Sequence, residues 1–361
     1  MNKSVKKQIL NIVFVVLLMV FTVYAVSKST NELNYSNIKS FFANANLVYI
    51  GIAFICWAGF VLFEALSLHI ILKKLGYKSR FKHSIGYSTA DIYYSAITPS
   101  ASGGQPASAY YMVKDGIDGG TSGFSLIFNL VGYTSAIIII GVFSLIFGFK
   151  EFLELNTFVQ VLVLLGIASQ ILLLSFFISC MCYHTLVKKV GHGIVKLLNK
   201  VRIIRKKEKW LDRVDNIVDK YRDSYEEFKK HKRTLIPVIL CNLGQRVAQV
   251  FISVFVCKAA TDCSMLDVFL LQAFVVLGSN TIPIPGGAVA FEYLYLNTYC
   301  LLFGEEFIVI AMMVTRFISY YFSMFVSFIY TITYHMVKKR KIERKPRRFF
   351  GGIKNGKEIG K

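Results

Sequence analysis

Six ionisable residues stand inside runs that are otherwise apolar: Glu64, His69, Asp91, Arg246, Glu292 and Arg316. A charge at the centre of a hydrocarbon layer costs a few kcal/mol, so each should face a bundle interior or water. Two of them belong to polar stripes. Asn242, Gln245, Arg246 and Gln249 fall at i, i+3, i+4 and i+7, and Arg316, Ser319, Tyr320 and Ser323 repeat that spacing. On a helix each set makes one polar face about two turns long. A guanidinium on such a face suits a buried phosphate or carboxylate. The rival is internal pairing with Glu64, Asp91 or Glu292. For the serines and glutamines the plainer alternative is hydrogen-bonded glue between helices.

Two Pro/Gly clusters interrupt the apolar runs, ITPSASGGQP at 97–106 and NTIPIPGG at 280–287, and hold four of the six prolines. Proline is expected there only if a helix stops. Pro106 suits the first turn of a new half-helix, 106–113, whose free amides and positive dipole end then point into the membrane. Ser100, Ser102 and Gln105 add donors there, while Gly103 and Gly104 permit close approach. The second cluster restarts near Gly286 and Gly287 and supplies another such end. Helix N-termini bind anions. A site between two of them, with Arg246 and Arg316 nearby, suits a phosphate-bearing lipid headgroup, and Glu292 or Glu64 could receive a cationic one. The alternative is a pair of structural kinks.

The elements that must carry these residues follow from hydropathy. The chain has 361 residues, 55% hydrophobic and 17% charged, against about a quarter charged in a soluble domain. Continuous runs of 18 or more apolar residues predict an all-α polytopic membrane protein and exclude a barrel, whose runs alternate in steps of two. Full spans are expected at 9–26, 47–72, 122–148, 158–183, 235–257 and 307–335. The first could be mistaken for a signal peptide, but its length favours an uncleaved helix. Regions 84–113 and 265–303 are split into halves that suit re-entrant hairpins.

Charge orients this arrangement. With both hairpins returning to the side they left, the loops sum to +25 on one side and −2 on the other, which puts both termini in the cytoplasm. The result is one membrane domain, 1–335, with a basic tail, 336–361. It contains two span–hairpin–span units of opposite orientation, 47–148 and 235–335, a plan known from transporters. Between them, Leu211, Val214, Val218, Tyr221, Tyr225 and Phe228 form one apolar seam on an amphipathic helix at about 208–232. It is expected either packed under the bundle on the inner leaflet or as a solvated connector.

The residues of both breaks carry a family resemblance. TPSASGGQPASAYY with the following KDGI, and later PIPGGAVAFE, resemble the two signatures of the lysylphosphatidylglycerol synthase transmembrane family. That is the flippase-like membrane domain of the multiple peptide resistance factor. The likeness covers roughly residues 8 to 335. It implies a bundle with re-entrant helices that moves or binds charged phospholipid, typically aminoacylated phosphatidylglycerol, and contributes to resistance to cationic peptides. Thr98, Pro99, Gly103, Gly104, Gln105, Pro106, Pro285, Gly286, Gly287, Glu292, Glu64 and Arg316 match the family pattern. The sequence departs from it in reading GGAVAFE, where a glycine usually precedes the glutamate. The 26 residues after the last span are too short for the soluble acyltransferase domain of the full synthase.

No P-loop, nucleophile elbow, HExxH or acidic metal cluster is present, so no catalytic residues, metal or cofactor are expected. The seven cysteines lie mostly in apolar runs and read as small hydrophobes. The expectation is a lipid translocator in a bacterial cell membrane. Its partners would be anionic or aminoacylated phospholipid, with a second copy or a separate synthase as protein partner and no nucleic acid. A phosphatidylglycerol lysyltransferase, which would need lysyl-tRNA, and a lipid-binding scaffold are the rivals.

Overall fold

The computed structural model describes residues 35–98, 101–201, 207–281 and 290–343. The expected span 9–26, most of the second break and most of the basic tail lie outside these residues. All regular elements among the described residues are helical. They run α1 (Tyr35–Asn44), α2 (Leu47–Lys74), α3 (Phe81–Ala96), α4 (Gly104–Lys114), α5 (Gly119–Phe147), α6 (Phe149–Glu154), α7 (Thr157–Cys182), α8 (His184–Lys200), α9 (Lys207–Lys230), α10 (Leu235–Ala260), α11 (Met265–Ser279), α12 (Ala290–Tyr299), α13 (Glu305–Arg316) and α14 (Ser323–Glu343). Five helical stretches are long and apolar enough to cross a bilayer: 47–74, 119–147, 157–182, 232–260 and 305–337. The protein is a polytopic α-helical membrane protein.

Local chemistry sets the helix ends. Asn46, Asn156 and Ser264 cap α2, α7 and α11 by accepting amides of Val48, Val159 and Asp267, which meets one orphan donor at each start. Lys73 and Lys74 close α2, where cations complement the dipole. The expected single span 307–335 is interrupted by a π-helical stretch, Phe317–Phe322, between α13 and α14. It begins directly after Arg316.

The core centres on α2 packed along α10. Small residues let the two approach: Gly59 faces Ala248, and a Cβ on Gly244 would meet the Phe63 ring at 3.1 Å. The contacts of the two hairpins are reciprocal. α3 packs on α2 and on α14, while α11 packs on α10 and on α5. α4 packs on α3 and α5, while α12 packs on α11 and α13.

The expected amphipathic helix is α9, and it packs under the bundle rather than standing in solvent. Tyr221 packs edge-on to Phe124 at 5.4 Å and Phe228 to Phe128 at 4.7 Å. The approach is tight: a Cβ on Gly120 would lie 2.2 Å from the Ile217 carbonyl oxygen. A helix that hydropathy did not single out, α8, runs against α9. Lys188 and His192 of α8 bond Asp215 of α9 at 3.0 and 2.8 Å, and together hold its carboxyl below the usual range.

Orientation can be tested at Cys300, exposed after α12, and Cys182, at the end of α7. In intact cells, a variant keeping only Cys300 should react with a membrane-impermeant maleimide, and one keeping only Cys182 only after permeabilisation. The opposite pattern overturns the charge-based orientation.

Candidate functional site

The first break folds back upon itself. α3 ends at Ala96, and Thr98 then turns inward, donating to the Tyr94 carbonyl at 2.6 Å and accepting the Gly103 amide at 2.9 Å. Ala101 adopts φ 53°, a left-handed conformation uncommon outside glycine. α4 starts at Gly104, two residues earlier than the expected 106, so Pro106 is its third residue and still within the turn whose amides have no helical partner. Ser100, with Pro99, lies outside the described residues, and Ser102 is exposed at the turn.

The hairpin closes on one carboxylate. Asp91 accepts from Ser95 at 3.0 Å and from the Gln105 side-chain amide at 2.6 Å. Gly104 permits this, because a Cβ there would sit 1.8 Å from Asp91 Oδ1 and 2.1 Å from Ser95 Oγ. Gly103 likewise leaves room for Thr98, 2.7 Å from where its Cβ would be. The glycines serve the hairpin's own polar side chains before any ligand.

Beside Asp91 lies Glu64 of α2, within electrostatic range of Arg246. Gln245 donates to Glu64 Oε2 at 3.1 Å. Arg246 donates to Gln249 at 2.6 Å, and its guanidinium lies over Tyr133 at 4.2 Å and Phe60 at 5.3 Å. Arg246 is buried, its Nε has no partner, and no carboxylate bridges it among the described residues. The cluster thus holds two carboxyl groups and one guanidinium, drawn from α2, α3 and α10. A void of about 10 Å³, room for about one water, adjoins Arg246 and Gln249 between α5, α10 and α11.

The other arginine is engaged. Arg316 Nε bonds Glu292 at 2.8 Å, both side chains are buried, and the guanidinium stacks on Phe291 at 4.3 Å. Tyr320, in the π-helical stretch, donates to the Ala96 carbonyl at 2.8 Å and ties this region to the first hairpin. Pro285, Gly286 and Gly287 lie outside the described residues. Asn242 of the first stripe is interhelical glue: its amide donates to Ser67 and Asn129 at 3.1 Å each.

Two buried networks escaped the sequence reading. Tyr295 and Tyr299 stack at 3.8 Å, both meet Ser253, and Tyr299 donates to Gln272 at 2.7 Å, fixing α12 to α10 and α11. Asp115 of KDGI accepts from Tyr87 and Tyr334 and meets His83 at 2.9 Å, pinning the first hairpin to α14. Tyrosines one turn apart, as in YLYLNTY, were the available signal for the first.

Two comparisons with known proteins bear on this arrangement. The sequence profile described as lysylphosphatidylglycerol synthase TM region matches residues 8–327. A UPF0104 membrane protein of Archaeoglobus fulgidus is 32% identical over 127 residues, 33% of this chain and 38% of that protein. The alignment therefore spans well under half of the relative's length.

Two stability predictions follow from the geometry. Glu292→Ala or Arg316→Ala leaves a buried charge unpaired and should cost about 3–5 kcal/mol, while Glu292→Leu with Arg316→Met should recover most of that. Thermal unfolding in detergent reads both; single variants as stable as wild type would refute a buried pair. Gly104→Ala should cost about 1–3 kcal/mol by overpacking against Asp91, and Asp91→Ala in the same chain should restore part of it.

Proposed function

The chain belongs to the lysylphosphatidylglycerol synthase transmembrane family, and from that membership we propose that it translocates a phospholipid headgroup carrying both phosphate and amine. Membership supports a lipid-related membrane role in general. The finer reading rests on one observation: Arg246, buried and without an ion pair among the described residues, lies near two carboxyl groups. Guanidinium suits phosphate, and Glu64 with Asp91 suits an ammonium, so the cluster complements an aminoacylated phosphatidylglycerol headgroup. Arg316, held by Glu292, serves to position α12 against α13. Transfer of such lipid to the outer leaflet of a bacterial plasma membrane would lower that leaflet's attraction for cationic peptides.

The reciprocal packing described above supports two inverted units whose first spans, α2 and α10, meet along the pseudo-symmetry axis. In such a plan the site lies near mid-membrane and access alternates by movement of one unit against the other. The void beside Arg246 is far smaller than a headgroup, so this conformation is a closed one.

In proteoliposomes, wild-type protein should carry lysyl-phosphatidylglycerol between leaflets, and Arg246→Gln should slow it at least tenfold without lowering the unfolding temperature. That loss corresponds to about 1.4 kcal/mol or more. Equal rates would sink the site assignment. Formation of lysyl-lipid from phosphatidylglycerol and lysyl-tRNA in the same vesicles would instead establish a synthase.

A further inference from the structure

A second basic feature lies apart from the central cluster. Where α2 ends and α9 passes into α10 through a 3₁₀ turn, Lys232–Thr234, there is an open groove of about 710 Å³. Its lining includes Lys74, Lys229, Lys230, Lys232, Arg233 and Pro237. Lys229 and Lys230 are neutralised within α9 by Glu226 and Glu227 at 2.8 and 2.7 Å. Lys74, Lys232 and Arg233 have no carboxylate partner among the described residues. Three uncompensated cations around one groove repel one another and attract an anion.

We propose that this groove holds the phosphate of an anionic phospholipid from the adjacent leaflet, as a resident lipid distinct from the cargo of the central cluster. Two further observations favour a lipid over a soluble phosphate. Directly beyond the groove, Ile236 and Leu240 stand one turn apart on α10, 63% and 59% exposed, and offer a track for an acyl chain. Depth also fits. Lys74 follows Glu64 by about 15 Å along α2, and Pro237 precedes Arg246 by about 14 Å along α10, at 1.5 Å per residue. Half of a hydrocarbon core of about 30 Å is the same distance. With the central cluster at mid-membrane, the groove lies at headgroup level. The basic loops assign that face to the cytoplasm, where pockets of Lys and Arg between helices are suited to anionic headgroups.

The test is native mass spectrometry of the full chain titrated with phosphatidylglycerol and, separately, phosphatidylcholine. Each surface cation contributes about fivefold to anionic-lipid binding. The variant Lys74→Gln/Lys232→Gln/Arg233→Gln should bind phosphatidylglycerol at least tenfold more weakly and phosphatidylcholine unchanged. Lys232→Gln alone should lose about fivefold. The control Lys189→Gln/Lys196→Gln/Lys200→Gln, which removes equal charge from α8, should bind as wild type. Arg246→Gln should also retain the lipid, so failure here and failure of the transport assignment are separable. Equal losses in both triple variants would mean diffuse surface charge, equal losses of both lipids a purely apolar contact, and full displacement by millimolar inorganic phosphate a soluble-anion site. Any of these overturns the proposal.

Discussion

The hydrogen bonds converging on Asp91 fix the shape of the first hairpin. A carboxylate carried into a membrane bundle cannot rely on water and must find donors in protein. Ser95 reaches it from the same helix, but Gln105 reaches it only if the chain breaks, reverses and restarts nearby. That requirement accounts for much of the signature. Gly104 must lack a Cβ, and Thr98 must bond both Tyr94 and Gly103 to close the turn. Once the hairpin is closed, Asp91 lies against Glu64, and through Gln245 and Arg246 the first hairpin is coupled to α10 of the other half of the molecule.

The two arginines show how similar stripes acquire different roles. Arg316 meets Glu292 in a buried pair, where removal of either partner costs more than the pair contributes to stability. Such a pair specifies register between α12 and α13. Arg246 has Gln249 and two aromatic faces instead of a carboxylate bridge. Its guanidinium contacts neutral and aromatic groups, with Glu64 and Asp91 within electrostatic range but not bridging it; under the proposed function that leaves it open to an incoming anion.

Hydropathy made the five described spans and the first interruption legible, because runs of apolar residues and clusters of Pro and Gly act locally. The seam Val218–Tyr221–Phe228 also announced α9, since its period depends on α9 alone. What escaped depended on contacts between distant segments. Equal spacing around Arg246 and Arg316 could not tell which would find Glu292. The π-helical stretch after Arg316 shows no local breaker, only a backbone that widens where the guanidinium is held and Tyr320 reaches Ala96. Nor could KDGI reveal that Asp115 would be met by Tyr334, 219 residues away. Hydropathy does not mark α8, because its lysines lower the mean over a helix whose apolar residues recur at helical spacing; Val195 is buried and Gly191 lies against Val214 of α9, while Val190, Ile194 and Leu197 stay exposed.

Where the bundle can part follows from where its polar ties are. Ser67, Asn129 and Asn242 bind α2, α5 and α10 together one turn from Arg246. Asp115 fastens the first hairpin to α14, and Ser253 with the paired tyrosines fastens α12 to α10. Between α5 and α11, by contrast, no hydrogen bond crosses among the described residues. Leu277 lies against Gly141 and Phe143 against Phe269. Apolar contacts are non-directional, and lipid tails can replace them at little cost, whereas a buried polar tie leaves unpaired groups when broken. The void beside Arg246 opens onto this apolar seam. Separation of α5 from α11 would break no hydrogen bond among the described residues and would leave the Asp91 hairpin intact, so under the proposed function it is a low-cost route by which a headgroup could reach the arginine.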